Sequence, residues 1–299
     1  MTTDRTGDAG RLRLLARAKL NVSLRVLALE ESGYHSIETI MLRLELADCV
    51  ELEATIEPGV RLEVEGDSMV PADSSNLCWR AAEVLGREVA PRGGVRIGLD
   101  KRIPAGAGLG GGSADAAAVL HGLNELWGRP LDEPALVRLA GEIGSDVPFG
   151  LCEAPMALAW EHGRRLLPLE APPPRSVLIV VPGYPIGAGE AYGWLAEDRS
   201  AGLAEPPDPG FLPWAAQLSE GSVLGSLAMN DLEEPVFRRR PELGRIRDQL
   251  TDRGADIALL CGSGSCVAGL FSDESLLDSA EDSFSRVEGV STIRTRTLR

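Results

Sequence analysis

The chain has 299 residues, enough for about two domains, and its 44% hydrophobic and 25% charged residues are ordinary globular composition. Forty-five acidic against thirty basic residues leave a net charge of −15, which repels nucleic acid and anionic lipid and leaves a small molecule as the expected partner. No run of about 18 or more apolar residues is present and the polar start MTTDRTGDAG lacks a signal core, so no membrane association is expected and the expected location is cytoplasmic.

From Leu12, LRLLARAKLNVSLRVLALE alternates as a strand does, and so does IETIMLRLELADCVELEAT from Ile37, with the polar EESGYHS as their connection. VRLEVEG follows as a third strand. SSNLCWRAAEVLGREV opens on capping residues and puts Leu77, Ala81, Ala82 and Leu85 at helical spacing, which predicts a helix. VRIGLDKRI reads as a strand, and a glycine-rich stretch then leads into the helix ADAAAVLHGLNELWG. A further helix, EPALVRLAGEIG, ends at Gly144; SDVPFG after it is predicted as a turn, because Pro148 biases Val147 away from helical geometry. The prolines of APPPR, Ala171 to Arg175, suit neither a helix interior nor a sheet ladder and mark a linker, dividing the chain into 1–170 and 171–299. Beyond it lie a buried strand, SVLIVVPG, two helices, AYGWLAE and PELGRIRDQLTDRG, a strand pair around glycines, ADIALLCGSGSCVAGLF, and a final helix and strand. Strands and helices interleave in both halves, an α+β organisation without internal repeats. Cys49, Cys78, Cys152, Cys261 and Cys266 lack the paired spacing of a zinc site and read as reduced thiols; no metal-ligating set is expected.

Pro104, Ala105, Gly106, Ala107, Gly108, Leu109, Gly110, Gly111, Gly112 and Ser113 stand between a strand and a helix. Glycines there permit positive φ and close approach of a ligand, and the first amides of a helix are unpaired donors at its positive end, so the stretch reads as a phosphate cradle. Ser113 can cap the helix or offer its hydroxyl to a phosphate or a magnesium ion, and Asp115 suits the dipole. Gly106, Gly108 and Gly111 satisfy GxGxxG, but outside an opening βαβ unit and without an acidic residue about twenty positions on. No lysine follows the last glycine, as a Walker loop requires.

PAGAGLGGGSADAAA resembles the phosphate loop of the GHMP kinases, and AKLNVSLRV, GYHSIETI, IGSDVPF, NDLEEPVF and GSGSCVAGLF stand in the order that family shows, from Ala18 to about Phe271. The resemblance implies the two-domain GHMP kinase fold, with an N-terminal domain like domain 2 of ribosomal protein S5 and a ferredoxin-like C-terminal domain. It also implies phosphoryl transfer from ATP, accompanied by Mg2+, to an alcohol. In the branch that the triple glycine resembles, the acceptor is the 2-hydroxyl of a diphosphocytidyl-methylerythritol, on the non-mevalonate route to isoprenoids. The resemblance makes Asp146 the base and Lys19 its partner, and it assigns the cytidine to Tyr34 and His35, which can stack on and hydrogen-bond a pyrimidine. It further implies Asn21 beside them, Tyr184 as a second wall, Asn76 and Leu77 next to the adenine, and Gly262, Ser263 and Gly264 near the reacting end. By residue type alone, Asn76 reads equally as a helix cap and Gly262 to Ser265 as a hairpin turn. The chain departs from the family at CEAPMALAWEHGRRL, where Met156, Leu158 and Trp160 still alternate, and at Gly187 and Ala188, where two hydroxyls are typical. Three other readings remain open: a kinase of this family with a shifted acceptor, a nucleotide-binding regulator without turnover, and an NAD-dependent oxidoreductase. Monomer and homodimer are both compatible with the sequence.

Overall fold

The computed structural model describes residues 3–4, 10–29, 35–91, 93–205 and 224–299. Two long strands, β2 (Arg11–Leu29) and β3 (His35–Thr55), pair antiparallel along the first half of the chain. Their alternation buries Leu12, Leu14, Ala16, Val50 and Leu52 on one face, each large aliphatic contributing about 1.5–3 kcal/mol. β1 (Thr3–Asp4) lies at the edge of β2. β4 (Val60–Glu65), α1 (Leu77–Val89) and β5 (Gly94–Asp100) form a parallel βαβ unit, and the sheet runs β1-β2-β3-β5-β4. The other end of β3 pairs instead with β6 (Met156–Trp160), which pairs with β7 (Arg165–Leu169).

α2 (Gly111–Leu126) lies on this sheet beside α1 and α3 (Glu133–Ile143). Its buried alanines, Ala114 and Ala116 to Ala118, let the helix approach closely. At Gly122 a Cβ would stand 2.4 Å from Leu52 Cδ1, so the contact leaves room for none. The turn predicted at SDVPFG is instead a short helix, α4 (Val147–Leu151). Pro148 sits in its first turn, where a missing N–H costs nothing, and so initiates the helix rather than preventing it.

The second half opens with β8 (Ser176–Pro182) and α5 (Ala188–Ser200), directly after the proline-rich linker. α6 (Leu224–Leu227), β9 (Met229–Asn230), α7 (Glu233–Arg239) and α8 (Pro241–Asp252) follow. β10 (Ile257–Leu260), β11 (Val267–Phe271), α9 (Glu274–Phe284) and β12 (Val290–Arg296) complete the chain. The strand order β10-β11-β8-β12, with antiparallel pairing throughout, is ferredoxin-like. One strand crosses over: β9 pairs parallel with β2 of the first sheet. All five cysteines are free thiols. Among the described residues, no helix is long and apolar enough to cross a membrane.

Candidate active site

Lys19 lies midway along β2 with only 7% of its surface exposed. A buried ammonium has to fill its three donor positions, and three acceptors surround this one. Nζ stands 3.1 Å from Asp146 Oδ2 and donates to Asn21 Oδ1 at 2.5 Å and to the Gly108 carbonyl at 3.2 Å. Asn21 is held with its oxygen toward the lysine because its amide nitrogen donates to Thr39 Oγ1 at 2.8 Å. Asp146, just before α4, remains partly open to solvent.

The glycine loop packs against this pair from one side. Gly108 has φ +77°, and a Cβ on it would stand 1.7 Å from the Cys261 carbonyl; Gly110, at φ +70°, lies against the Lys19 side chain. Both positions therefore need glycine for conformation and for space. Ala107 and Leu109 are buried with Leu259 and Cys261, so the loop is clasped between the two halves of the chain. α2 begins at Gly111 with Gly110 as its cap, so of the two roles open to Ser113 capping is ruled out: Ser113 is already inside the first turn. The amides of Gly111, Gly112 and Ser113 have no intrahelical acceptors, which leaves the helix start available to an anion.

Asp115 does not serve the dipole from the surface. It is buried, and its Oδ2 accepts from Lys101 Nζ at 2.8 Å; Lys101 also bonds to the buried Asp48. Asp48 Oδ1 in turn accepts from the amides of Arg102 (2.6 Å) and Ile103 (2.8 Å), fixing the backbone that leads into Pro104, Ala105 and Gly106. Asn76 caps α1 by accepting from the Cys78 amide, and its amide nitrogen donates to the Pro71 carbonyl. Leu77 approaches Gly112, where a Cβ would lie 3.5 Å from Leu77 Cδ1.

A cavity of about 590 Å³ opens beside Asp146, lined also by Ser113, Ser145, His35, Ile37, His162, Tyr192 and the start of α5. His35 and Tyr192 stack at its wall, with ring centroids 5.5 Å apart and planes inclined by 25°. Burial, reinforced by the nearby charge of Arg199, lowers the His35 pKa and favours the neutral imidazole. Tyr34 lies outside the described residues. Tyr184 is not among the lining residues: its hydroxyl donates to Glu242 at 2.5 Å and its ring lies under Arg240. Among the described residues, Tyr192, in AYGWLAE, is the tyrosine that lines the cavity, and only its place on one face of α5 distinguishes it in the sequence. Gly262 adjoins the pair, since a Cβ on it would stand 3.1 Å from both Asn21 Oδ1 and the Gly108 carbonyl. Asn230, for which no role is expected from the sequence, holds that turn by donating to the carbonyls of Leu260 (3.1 Å) and Gly262 (2.7 Å). Ser263 and Gly264 continue the turn, and the Gly264 amide donates to the Cys261 carbonyl at 2.8 Å. Of the two positions where the resemblance leads one to expect hydroxyls, Ala188 lines the cavity and Gly187 caps α5 next to it without a side-chain bond. Among the described residues, no group of three or more His, Cys, Asp or Glu side chains could hold a metal ion.

Residues 76–156 match the model for the GHMP kinases N terminal domain, and residues 215–288 match that for the GHMP kinases C terminal region. A 4-diphosphocytidyl-2-C-methyl-D-erythritol kinase from Shouchella clausii is 38% identical over 262 residues, covering 87% of this chain and 86% of the relative. One from Geobacter sp. (strain M21) is 36% identical over 288 residues, covering 96% and 99%. The crystal structure of a 4-(cytidine 5'-diphospho)-2C-methyl-D-erythritol kinase superposes with a TM-score of 0.76 at 34% identity, covering 96% of this chain and all of that one.

Proposed function

This chain belongs to the 4-diphosphocytidyl-2-C-methyl-D-erythritol kinases, within the GHMP kinases, and from that premise we propose that it transfers the γ-phosphoryl group of ATP to the 2-hydroxyl of 4-diphosphocytidyl-2-C-methyl-D-erythritol. The products are the 2-phosphate and ADP, and the step belongs to the methylerythritol phosphate route to isoprenoids. The observation that carries the reading is a Lys19–Asp146 ion pair at a cavity that also holds Ser113 of the phosphate loop and a stacked His35–Tyr192 wall.

Each part has a chemical task. Asp146 accepts the proton of the substrate hydroxyl as its oxygen attacks the γ-phosphorus. Lys19 keeps positive charge beside the oxygen while the bond to phosphorus forms. The bond to the bridging oxygen breaks, and the charge left on the β-phosphate is met by the amides and dipole at the start of α2. ATP would enter as its Mg2+ complex; the Ser113 hydroxyl would help to hold the ion, which would supply neutralisation of phosphate charge and would need few protein oxygens. A neutral His35 has one donor and one acceptor for the edge of a cytosine, and Tyr192 offers a ring to its face. Leu77, beside Gly112, supplies apolar surface for the adenine, whereas both ends of the Asn76 amide are already engaged. One chain provides all these residues, and the soluble nucleotide substrates suit the cytoplasm.

A regulator without turnover has no use for a buried lysine bonded to a carboxylate. ADP release with Mg2+, ATP and this acceptor tests the reading. Turnover should depend on the acceptor and fall by about 10²–10⁴ in Asp146→Asn, with ATP binding and melting temperature retained. Unchanged turnover in that variant would remove Asp146 as the base, and ATP binding without acceptor-dependent ADP release would refute the proposed reaction.

A further inference from the structure

The two proposed cytidine walls come from different halves of the chain, His35 from the start of β3 and Tyr192 from α5. Something has to hold them in register. Arg199 follows Tyr192 by seven residues, two turns along the same helix face. While Tyr192 meets His35, Arg199 reaches the other strand of the same hairpin. Its Nη2 donates to the Val26 carbonyl at 2.6 Å, its Nη1 to the Leu27 carbonyl at 3.4 Å, and its Nε to the Glu205 carbonyl at 3.1 Å. Asp231, directly after β9, completes the tie: Oδ2 accepts from the Val26 amide at 2.8 Å and from Arg199 Nη2 at 3.4 Å. The Asp231 amide donates to the Leu24 carbonyl at 2.9 Å.

These bonds fall where the ladder is irregular. Val26 pairs with Ile37, the register then shifts, and the next pair is Leu29 with His35. Val26, two residues beyond Leu24, turns its carbonyl and amide to the edge of β2 that carries β9, where Arg199 and Asp231 engage them, and the Leu27 carbonyl that Arg199 also reaches lies within the shift. The guanidinium is only 15% exposed and the carboxylate 24%.

We infer that Arg199 and Asp231 are positioning residues for the cytidine moiety, pinning the β2–β3 irregularity from the second half of the chain and so holding His35 against Tyr192. The inference rests on the reading of His35 and Tyr192 as the cytidine walls. It gives Arg199 a second effect, because its charge opposes protonation of His35. Among the described residues, the other titratable groups at this wall are Tyr192 on α5, Asp146 before α4, His162 between β6 and β7, and Asp231 near Tyr192.

The test is steady-state kinetics of the full chain with each substrate varied, for the wild type, Arg199→Ala, Arg199→Lys, His35→Ala and Tyr192→Ala, with thermal melts of each. Arg199→Ala should raise KM for the diphosphocytidyl substrate about tenfold and leave KM for ATP within about twofold. Its kcat/KM for that substrate should also lose its acid-side activity at a higher pH than the wild type, since His35 is then easier to protonate. Arg199→Lys keeps the charge but cannot span both carbonyls and Asp231, so it should retain the wild-type acid limb while raising the same KM. It supplies the KM readout if the alanine variant folds poorly. Unchanged substrate KM and acid limb in both Arg199 variants, with a raised KM in His35→Ala, would overturn the positioning role and leave the cytidine reading intact. If His35→Ala and Tyr192→Ala leave that KM unmoved, the cytidine reading itself fails. An equal rise in both KM values would make Arg199 merely structural and also overturn the inference.

Discussion

Lys101 is one cation between two buried carboxylates, so the trio it forms with Asp48 and Asp115 is electrically balanced only if one acid keeps its proton. Burial, with Asp48 adding to it against the pull of Lys101, pushes Asp115 up to about 8, whereas Asp48 accepts two backbone amides besides the lysine. Asp115→Asn, which has the shape of a neutral carboxyl, should therefore cost under about 1 kcal/mol. Asp48→Asn replaces the carboxylate that holds Lys101 together with the amides of Arg102 and Ile103 and should cost more, about 3–5 kcal/mol. Urea titrations at pH 7 measure both, and equal costs would refute this distribution of charge. Asp48→Asn should also raise KM for ATP, because Asp48 anchors the amides that precede the glycine loop. Little of this was legible in the sequence. Lys19 and Asp146 stand in blocks with a recognisable order, but LADCV and LDKRI show nothing of their meeting, since a buried ion pair between distant strands has no local pattern. Tyr184 and Tyr192 differ in the same way, for only packing decides which ring reaches the cavity.

At the scale of elements, period and turn chemistry carried most of the reading. β2 and β3 follow from alternation, the β10–β11 pair from the glycines between two apolar runs, and β6 keeps Met156 and Leu158 buried in the segment that differs from the resemblance. β7 escaped because RLLPL carries a proline, which an edge strand tolerates. α4 escaped because a proline that ends one helix can start another. The turn between β6 and β7 is where the altered sequence has a physical cost. Gly163, at φ +74°, is required, since a Cβ would stand 1.7 Å from the Ser145 carbonyl, next to the proposed base. Glu161 and His162, at φ 50° and 56°, adopt the same left-handed region with side chains that disfavour it. Glu161→Gly should stabilise the protein by about 1 kcal/mol. The Glu161–Arg165 ion pair that it removes is exposed on both sides and worth little. A rise in the urea midpoint at constant slope checks this, and a fall would mean that the turn is not strained.

At the scale of the whole molecule, two sheets do not make two cores, and β9 of the second half lies in the first sheet. Leu24, Val26 and Ile37 of the first sheet are buried with Leu178, Val180 and Leu250 of the second half. Ala18, Leu20 and Leu44 share a further cluster with Ile179, Leu259 and Cys261. Backbone bonds reinforce the junction: β9 lies on β2, and Leu298 N donates to the Arg43 carbonyl at 3.0 Å. Domains joined through a polar interface move and melt separately, whereas a shared apolar core makes each half depend on the other. The proposed active site uses that dependence, because Lys19 and Gly108 come from one side and Gly262 and Tyr192 from the other. Calorimetry should accordingly show one cooperative transition, with calorimetric and van't Hoff enthalpies equal. Leu85→Ala, in the core under α1, and Leu250→Ala, in the core under α8, should each move that single transition down, each costing about 2–5 kcal/mol. Two transitions, one answering to each variant, would show instead that the halves fold independently and that the site is assembled only when they dock.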